Sequence, residues 1–305
     1  MNEPGRAEPP APRPARQEKI PLGILYMLGA TVLFAGSSAT SKWLVADYPL
    51  GEILFVRQTT SLLVCALIVL PFSGLAVFRT ERLRGHALRG GIQASAQSFL
   101  LLAFITMPLA SAMAINFSSP LFATLLSAIL LREKVGLARG VVLIVGFCGV
   151  LIITTPRAGT FQAGALFALA NAVLYGSIAT AVRGLSTTES AETLVMYQMV
   201  FLTLFFTPLL AFGFTMPTPF DAGIMVMTGL TNAIGQYWWT RAISLAPTSA
   251  VTPFYYFSLV WSMILGFLLW GDLPGVALLT GSAIVVGSGL FLLWRETARK
   301  QAPAK

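Results

Sequence analysis

Two pairs of amide side chains lie inside apolar stretches of this chain. Gln93 and Gln97 are four residues apart, as are Asn232 and Gln236, so each pair occupies one face of a helix. Amides in hydrocarbon need partners, and such faces therefore point to the interior of a helix bundle. There they either bind a ligand or hydrogen-bond to neighbouring helices. The other candidates with these two interpretations are Asn116, Tyr175, Gln198, Trp239, Tyr255 and Tyr256.

Arg57 is the most deeply placed charge in the apolar stretches. It lies about five residues into its stretch, which is roughly 7–8 Å of helix rise. A charge at the centre of a membrane helix costs about 2.5–3.5 kcal/mol on insertion scales. Either Arg57 snorkels outward or pairs with Glu52, or it faces a cavity and attracts an anionic or carboxylate-bearing substrate. Lys42, at the outer end of its stretch, is interpreted as an interface anchor.

The aromatic candidates suggest a second kind of binding surface. Tyr175, Trp239, Tyr255 and Tyr256 together predict an aromatic wall, which would bind flat rings or hold a cation without a carboxylate.

The residues needed for catalysis or metal binding are missing from the apolar stretches. None of the 12 acidic residues lies in the middle of a stretch, and the one histidine, His86, is predicted to be a solvated loop residue. No His-Glu-x-x-His motif, buried acid pair or Ser–His couple is present. We therefore expect no catalytic site, metal site or cofactor, and no buried carboxylate as a proton relay. Coupling through Glu52 remains open.

Composition defines a polytopic membrane protein that has the lipid bilayer as its partner. Of 305 residues, 56% are hydrophobic and 10% charged, and the mean hydropathy is +0.77. Soluble domains carry about 25% charged residues. The net charge of +8 lies in short loops and tails, as the positive-inside rule produces, so no nucleic-acid partner is expected.

Ten membrane spans are predicted between two tails, 1–21 and 295–305. Most of the 20 Lys and Arg residues fall on the side of the two termini, which predicts that both termini are cytoplasmic. Gly146, Gly149, Gly287 and Gly289 are interpreted as helix-packing positions. The spans are about 22–45, 52–71, 87–107, 109–131, 137–155, 160–183, 192–213, 220–242, 246–270 and 274–294.

A repeat divides the chain into two halves, 22–155 and 160–294. Residues 104–134 resemble 242–272, with Ile105-Thr106 aligned to Ile243-Ser244. Both segments run from a proline-containing break through a helix to a short charged turn. Five spans per half make the halves cross the membrane in opposite directions, which predicts an all-α protein of two inverted five-helix repeats.

The pattern of residues around this repeat resembles a known family. Ala110-Ser-Ala112, Pro120-Leu-Phe122, Leu130-Leu-Arg-Glu133 and Gly146-Phe-Cys-Gly149 are similar to motifs of the drug/metabolite transporter superfamily, in its EamA-type bacterial branch. The resemblance covers about 22–294. It implies ten helices around a central cavity, alternating access, and substrates ranging from amino acids and cofactors to drugs. Asp272 replaces the usual glutamate after the ninth span, which argues against a role of that acid in transport.

The leading hypothesis is a carrier for a small metabolite or drug in the bacterial inner membrane. We expect Asn116, Gln97, Asn232, Gln236 and Tyr256 to approach one another near the midplane. A non-transporting scaffold and an intramembrane enzyme remain as alternatives. The identity of the substrate, the direction of transport and the oligomeric state, monomer or dimer, stay open.

Overall fold

The chain is all-α in the computed structural model, which describes residues 20–130, 137–154, 163–185, 188–246 and 248–301. These ranges contain twelve α-helices and no strand. The helices are α1 (Ile20–Leu44), α2 (Leu50–Ser73), α3 (Leu83–Thr106), α4 (Leu109–Asn116), α5 (Ser119–Leu130), α6 (Leu137–Thr154), α7 (Ala163–Leu185), α8 (Ala191–Phe206), α9 (Pro219–Leu245), α10 (Thr248–Tyr255), α11 (Phe257–Trp270) and α12 (Val276–Gln301). Because α4 with α5 and α10 with α11 each form one broken span, the twelve helices make ten spans.

The break between α4 and α5 is stabilised by two serines. The hydroxyl of Ser118 donates to the Ile115 carbonyl at 2.6 Å, and that of Ser119 donates to the Asn116 carbonyl at 2.5 Å. Pro120 then falls in the first turn of α5, where its missing N–H costs no hydrogen bond. The residue between α10 and α11 is Tyr256, and Pro253 lies one turn before it. A residue predicted as a site candidate thus lies at each break, Asn116 at the first and Tyr256 at the second.

Length and composition identify membrane spans in most of these helices. Among the described residues, five segments are long and apolar enough to cross a membrane, and three shorter apolar helices accompany them. The five are Ile20–Leu44, Leu50–Phe78, Leu109–Leu126, Glu192–Phe212 and Pro253–Trp270. Neither α3 nor α9 is in either set, although they have 24 and 27 residues. These are the two helices that carry the amide pairs, which lower their hydropathy.

The packing of the helices has the two-fold symmetry of an inverted repeat. In chain order, α9 is the counterpart of α3 and α7 is the counterpart of α1. Helix α1 packs along α9 and α3 packs along α7, so exchanging the halves converts one contact into the other. The contact of α2 with α9 corresponds in the same way to that of α8 with α3.

The ends of the helices correct the alignment of the repeat by one residue. Helix α3 ends at its C-cap Met107 and α9 at its C-cap Ala246, and α4 and α10 then have eight residues each. Thr106 therefore corresponds to Leu245, whereas the sequence alignment paired it with Ser244. The motif-based alignment was therefore one residue short at this point.

A contact between α2 and α8 supports the same symmetry. The N-caps of these helices are Pro49 and Ser190, so Gln58 and Met199 are counterparts, each nine residues later. The Gln58 amide donates to Met199 Sδ at 2.7 Å. A residue that contacts its own counterpart lies beside the two-fold axis, which therefore runs between α2 and α8.

Three of the four predicted packing glycines make close contacts. A Cβ at Gly149 would lie 2.8 Å from Ile284 and 3.0 Å from the Gly281 carbonyl, where α6 crosses α12. Gly146 meets Leu121 and Gly289 meets the Tyr256 hydroxyl at still shorter distances. The prediction was wrong for Gly287, which has no atom within 4 Å of a Cβ position.

Candidate functional site

Helices α1, α2 and α3 surround one partly buried guanidinium with polar side chains. Arg57 on α2 donates through Nη2 to Gln97 Oε1 at 2.5 Å and through Nη1 to Ser41 Oγ at 3.4 Å. Its buried Nε has no hydrogen-bond partner among the described residues. Glu52 is fully buried and accepts instead from the Thr215 backbone N–H at 2.9 Å. The Glu52–Arg57 pair is therefore not formed, because residues five apart on a helix do not share a face.

Tyr175 and Gln93 extend this group toward the second half. The phenol of Tyr175 on α7 is close enough to Arg57, Gln93 and Arg89 to interact electrostatically with each. Gln93 is only 5% exposed, and its Oε1 has no hydrogen-bond partner among the described residues. We call Ser41, Arg57, Gln93 and Gln97 the arginine cluster.

An aromatic wall adjoins the arginine cluster. The ring of Tyr255 lies edge-on to Phe34 at 6.3 Å and to Phe117 at 5.6 Å between centroids. Tyr255 also interacts electrostatically with Tyr175, and Tyr256 lies 5.3 Å from Phe117. We define the aromatic wall as these five residues. It places the predicted Tyr175, Tyr255 and Tyr256 together, and α10 can present Tyr255 because the span is broken at Tyr256.

Close packing of α7 against α5 positions Tyr175. A Cβ at the next residue, Gly176, would lie 2.7 Å from the Ala123 nitrogen and 2.9 Å from the Ser119 carbonyl oxygen. One turn earlier, Asn171 donates from Nδ2 to Asn116 Oδ1 at 2.7 Å. This amide pair joins α4 to α7 at the level of the break between α4 and α5. Asn116 is thus held in place by α7, beside the aromatic wall residue Phe117.

The remaining predicted residues lie in contacts of their own. Gln198 accepts a hydrogen bond from Arg89 across the interface of α3 and α8, and Asn232 donates to Ser61 Oγ at 3.1 Å between α9 and α2. Trp239 packs beside Met27 and Ala242, where α1 meets α9. Gln236 is partly buried on the same helix as Trp239.

The five residues expected to converge are therefore distributed over several contacts. Gln97 binds Arg57, Asn116 binds Asn171 and Asn232 binds Ser61. Tyr256 lies against Phe117 and Gly289. Whether these side chains contact a substrate stays a prediction.

Lys42 joins helices at one end of the bundle. Its Nζ donates to the carbonyls of Phe104 at 2.9 Å and Met107 at 2.7 Å, at the C-terminus of α3. The same ammonium lies 5.3 Å from the centre of the Trp270 ring. The interpretation of Lys42 as an interface anchor was wrong, because the unpaired carbonyls of the last turn of α3 bind the ammonium.

His86 joins helices at the other end, and it is not a solvated loop residue. It is 1% exposed, stacks on Tyr197 at 4.5 Å and has Nε2 3.8 Å from Glu189 Oε1. Burial lowers the pKa of His86, an effect that Arg89 reinforces and Glu189 opposes. Glu189 also accepts from Thr80 Oγ1 at 2.6 Å. The loop after α2 and the loop after α7 are thereby held together.

Sequence reasoning missed Ser41, Phe34, Phe117 and Gln58 as parts of these contacts. Serine and phenylalanine are common in membrane helices, so their types carry no signal. Phe117 directly follows Asn116, and that adjacency was the available signal. Among the described residues, no group of three or more His, Cys, Asp or Glu side chains could hold a metal ion.

Comparison with known proteins identifies the class to which this fold and site belong. The model of the EamA-like transporter family matches residues 21–155 and 162–294. The chain belongs to the EamA-like transporter family, and so to the drug/metabolite transporter superfamily, and it is a multi-pass membrane protein. The family consists of two repeats of five helices, as the structure has.

Individual relatives are transporters of different small molecules. The chain is 29% identical over 289 residues to a riboflavin transporter of Rhizobium johnstonii, covering 93% of this chain and 94% of the relative. It is 26% identical to an S-adenosylmethionine uptake transporter of Rickettsia bellii, covering 90% and 94%, and 27% identical to a pseudopaline exporter of Pseudomonas aeruginosa, covering 87% and 93%. A solved structure with 20% identity matches with a TM-score of 0.63 over 91% of this chain and 98% of its own.

Proposed function

We propose that this protein is a secondary transporter that moves a small organic metabolite or drug across the bacterial inner membrane by alternating access. The observation that carries the proposal is the position of the arginine cluster. A partly buried guanidinium from the first half interacts with Tyr175 of the second half, with Gln97 as its nearest partner. A charge is costly in a membrane helix, and such residues mark substrate pathways when they face the interior of a bundle.

The contacts at the two ends support a rocking mechanism. At one end Tyr48 donates to Asp221 Oδ2 at 2.7 Å, and the Lys42 ammonium lies 5.3 Å from the centre of the Trp270 ring. At the other end Glu189 holds His86 and Thr80. In alternating access, one set of contacts opens while the other stays closed, and the two repeats rock about the site between them. We place the repeats at 22–155 and 160–294 and both termini in the cytoplasm.

The substrate would bind between the arginine cluster and the aromatic wall. Residues proposed to contact it are Arg57, Gln93, Gln97, Asn116, Tyr175, Tyr255 and Tyr256. The names of the relatives make riboflavin and S-adenosylmethionine the first two compounds to test. They differ in charge and in ring structure, so the comparison is informative whichever is transported.

Uptake into proteoliposomes tests the proposal. The purified chain is reconstituted and supplied separately with labelled riboflavin, S-adenosylmethionine, amino acids and nucleosides, with protein-free liposomes as the control. The proposal predicts saturable uptake of at least one compound, recovered chemically unchanged. Recovery of an altered compound would support the alternative of an intramembrane enzyme. A folded protein that transports none of the panel would count against transport and favour the scaffold alternative.

A further inference from the structure

The arginine cluster also defines a class of substrate, provided that the proposed transport function holds. We infer that the substrate is an uncharged or anionic planar ring whose edge carries carbonyl oxygens beside an N–H group, and that cationic substrates are excluded. The inference follows from the hydrogen-bonding capacity left unused in the cluster, from the neighbouring rings and from the asymmetry between the two halves.

The guanidinium of Arg57 has donors to spare. A guanidinium carries five N–H groups in a planar fork, and the side-chain bonds of Arg57 go to Gln97 and Ser41. Its Nε is buried with no hydrogen-bond partner, and no carboxylate lies within ion-pair distance of Arg57 among the described residues. Buried charges need pairing and hydrogen bonds. A substrate that presents oxygen acceptors would supply both, and the planar fork favours two acceptors side by side.

Gln93 adds a complementary requirement. Its Oε1 is an acceptor without a partner among the described residues, on a side chain that is 5% exposed. Gln93 and Gln97 are on one face of α3, so this acceptor lies beside the partner of Arg57. A ligand edge that alternates carbonyl, N–H and carbonyl would satisfy Arg57 and Gln93 together. A carboxylate alone would satisfy only Arg57.

The aromatic wall fixes the shape of the rest of the ligand. Tyr175 interacts with Arg57 and also with Tyr255, so the wall begins where the arginine cluster ends. Aromatic faces prefer offset or edge contacts with other rings, and each such pair adds affinity beyond its buried area. A planar ring system can therefore keep its polar edge on α2 and α3 while its apolar body contacts the wall.

The two-fold symmetry shows that the positive charge belongs to one half only. Arg57 lies eight residues after the N-cap Pro49, and its counterpart eight residues after Ser190 is Gln198. The Gln198 side chain is occupied by Arg89. Arg89 belongs to α3, so the arginines at both positions come from the first half, and the second half contributes the glutamine. A cation near Arg57 meets repulsion, since no described carboxylate offsets it.

Competition on the reconstituted protein tests the inference. Uptake of labelled riboflavin, whose ring carries an imide edge, is measured against unlabelled riboflavin, its N3-methyl analogue and cationic S-adenosylmethionine. We expect the methylated analogue to compete about 10- to 100-fold more weakly, as for the loss of one hydrogen bond to a charged or buried group. S-adenosylmethionine should not compete. This comparison uses the wild-type protein and stands even where a variant fails to fold.

Variants of the arginine cluster then test which of its residues bind the polar edge of the ligand ring. Gln93→Leu removes the free acceptor that the ring N–H would bind, so it should abolish the discrimination between riboflavin and its methylated analogue. Arg57→Lys keeps the charge but removes the fork to the ring carbonyls, which both compounds carry, so it should weaken the binding of both by a similar factor. Ser95→Ala is the matched control, because Ser95 lies between the two glutamines but is exposed and bonds only to the Gly91 carbonyl. It should behave as wild type.

The inference would be overturned, with transport intact, by equal competition from the methylated analogue, by efficient uptake of S-adenosylmethionine, by unchanged discrimination in Gln93→Leu, or by unchanged riboflavin affinity in Arg57→Lys. Transport only of compounds that lack a carbonyl-bearing ring edge would do the same. A folded protein that moves no compound at all is a different outcome, because it removes the proposed function and the inference with it.

Discussion

Two arginine–glutamine pairs each have one member on α3, and the two pairs differ in the acceptors that surround the arginine. In the first, Arg57 of α2 donates to Gln97 of α3, and in the second, Arg89 of α3 donates to Gln198 of α8. Arg89 also donates to the Leu194 carbonyl at 3.0 Å and is 7% exposed, whereas the second contact of Arg57 is a serine hydroxyl at 3.4 Å. We call Arg57–Gln97 the site pair and Arg89–Gln198 the joining pair.

The difference indicates how an arginine–glutamine pair can be suited either to ligand binding or to holding two helices together. A backbone carbonyl cannot rotate away, so the joining pair fixes α3 against α8. Gln97 and Ser41 are side chains with rotational freedom, so under the proposed function we expect Arg57 to exchange them for a ligand. Tyr175 of the aromatic wall interacts electrostatically with the arginines of both pairs, so this contact does not separate them. Buried charge alone does not distinguish these roles, but the type of acceptor does.

The largest expected effect comes from Arg57→Gln. Removing the fork should lower the apparent affinity for the transported compound by about 10- to 100-fold, from the loss of hydrogen bonds to a charged group. Stability should change little, because Arg57 is only partly buried and its two acceptors are side chains that can find other partners. Uptake kinetics and thermal unfolding in detergent measure the two effects.

Arg89→Gln is the matched comparison and should show the reverse. It leaves the Leu194 carbonyl and Gln198 without their donor, so the melting temperature should fall. Equal losses of stability in both variants would show that the site pair is also structural, and the distinction between the pairs would have to be abandoned.

Truncating the glutamines sharpens the same comparison at a smaller scale. Gln198→Leu leaves the buried Arg89 short of an acceptor, and unpaired buried groups cost about 1–3 kcal/mol of stability. Gln97→Leu should lower the stability less, since a ligand can replace Gln97 as the acceptor of Arg57. On adding the transported compound, the melting temperature of Gln97→Leu should rise more than that of Gln198→Leu. Chemical or thermal unfolding with and without ligand gives both numbers. A larger destabilisation by Gln97→Leu would contradict the assignment.

Much of the fold was predictable from the sequence, because hydropathy and loop charge act locally. The ten spans and two inverted repeats are confirmed. The contacts of the candidate site were harder to predict from the sequence. Glutamines 93 and 97 share a helix face, yet their different partners depend on α2 and α7, which periodicity does not place. His86 and Lys42 were misread for the same reason, since burial by a distant helix leaves no mark in the local sequence.

A smaller effect is expected from Gly289→Ala, which acts on the aromatic wall and therefore on the site pair. A Cβ at Gly289 would collide with the Tyr256 hydroxyl, and forced overpacking costs about 1–3 kcal/mol. The displaced Tyr256 should also lower transport affinity. Gly287→Ala is the control on the same helix: nothing lies within 4 Å, and alanine favours a helix by up to about 1 kcal/mol over glycine. If the two variants had the same melting temperature, the Tyr256 contact would carry no packing cost.

The smallest expected effect is a pH dependence of stability that comes from His86, which lies one turn before Arg89 of the joining pair on α3. Burial and Arg89 lower the pKa of His86, while Glu189 opposes them, so the folded state favours the neutral imidazole. The unfolded chain binds a proton near pH 6.5, and the stability contribution of His86 is therefore present above that pH and is lost as the pH falls below it. Melting temperatures measured from pH 8 to pH 5 should decline more in the wild type than in His86→Phe, which keeps an aromatic ring against Tyr197 but cannot titrate. A steeper decline in His86→Phe would mean that Glu189 dominates and holds the histidine protonated. Proton binding would then strengthen the contact between the loops and support the joining pair at low pH.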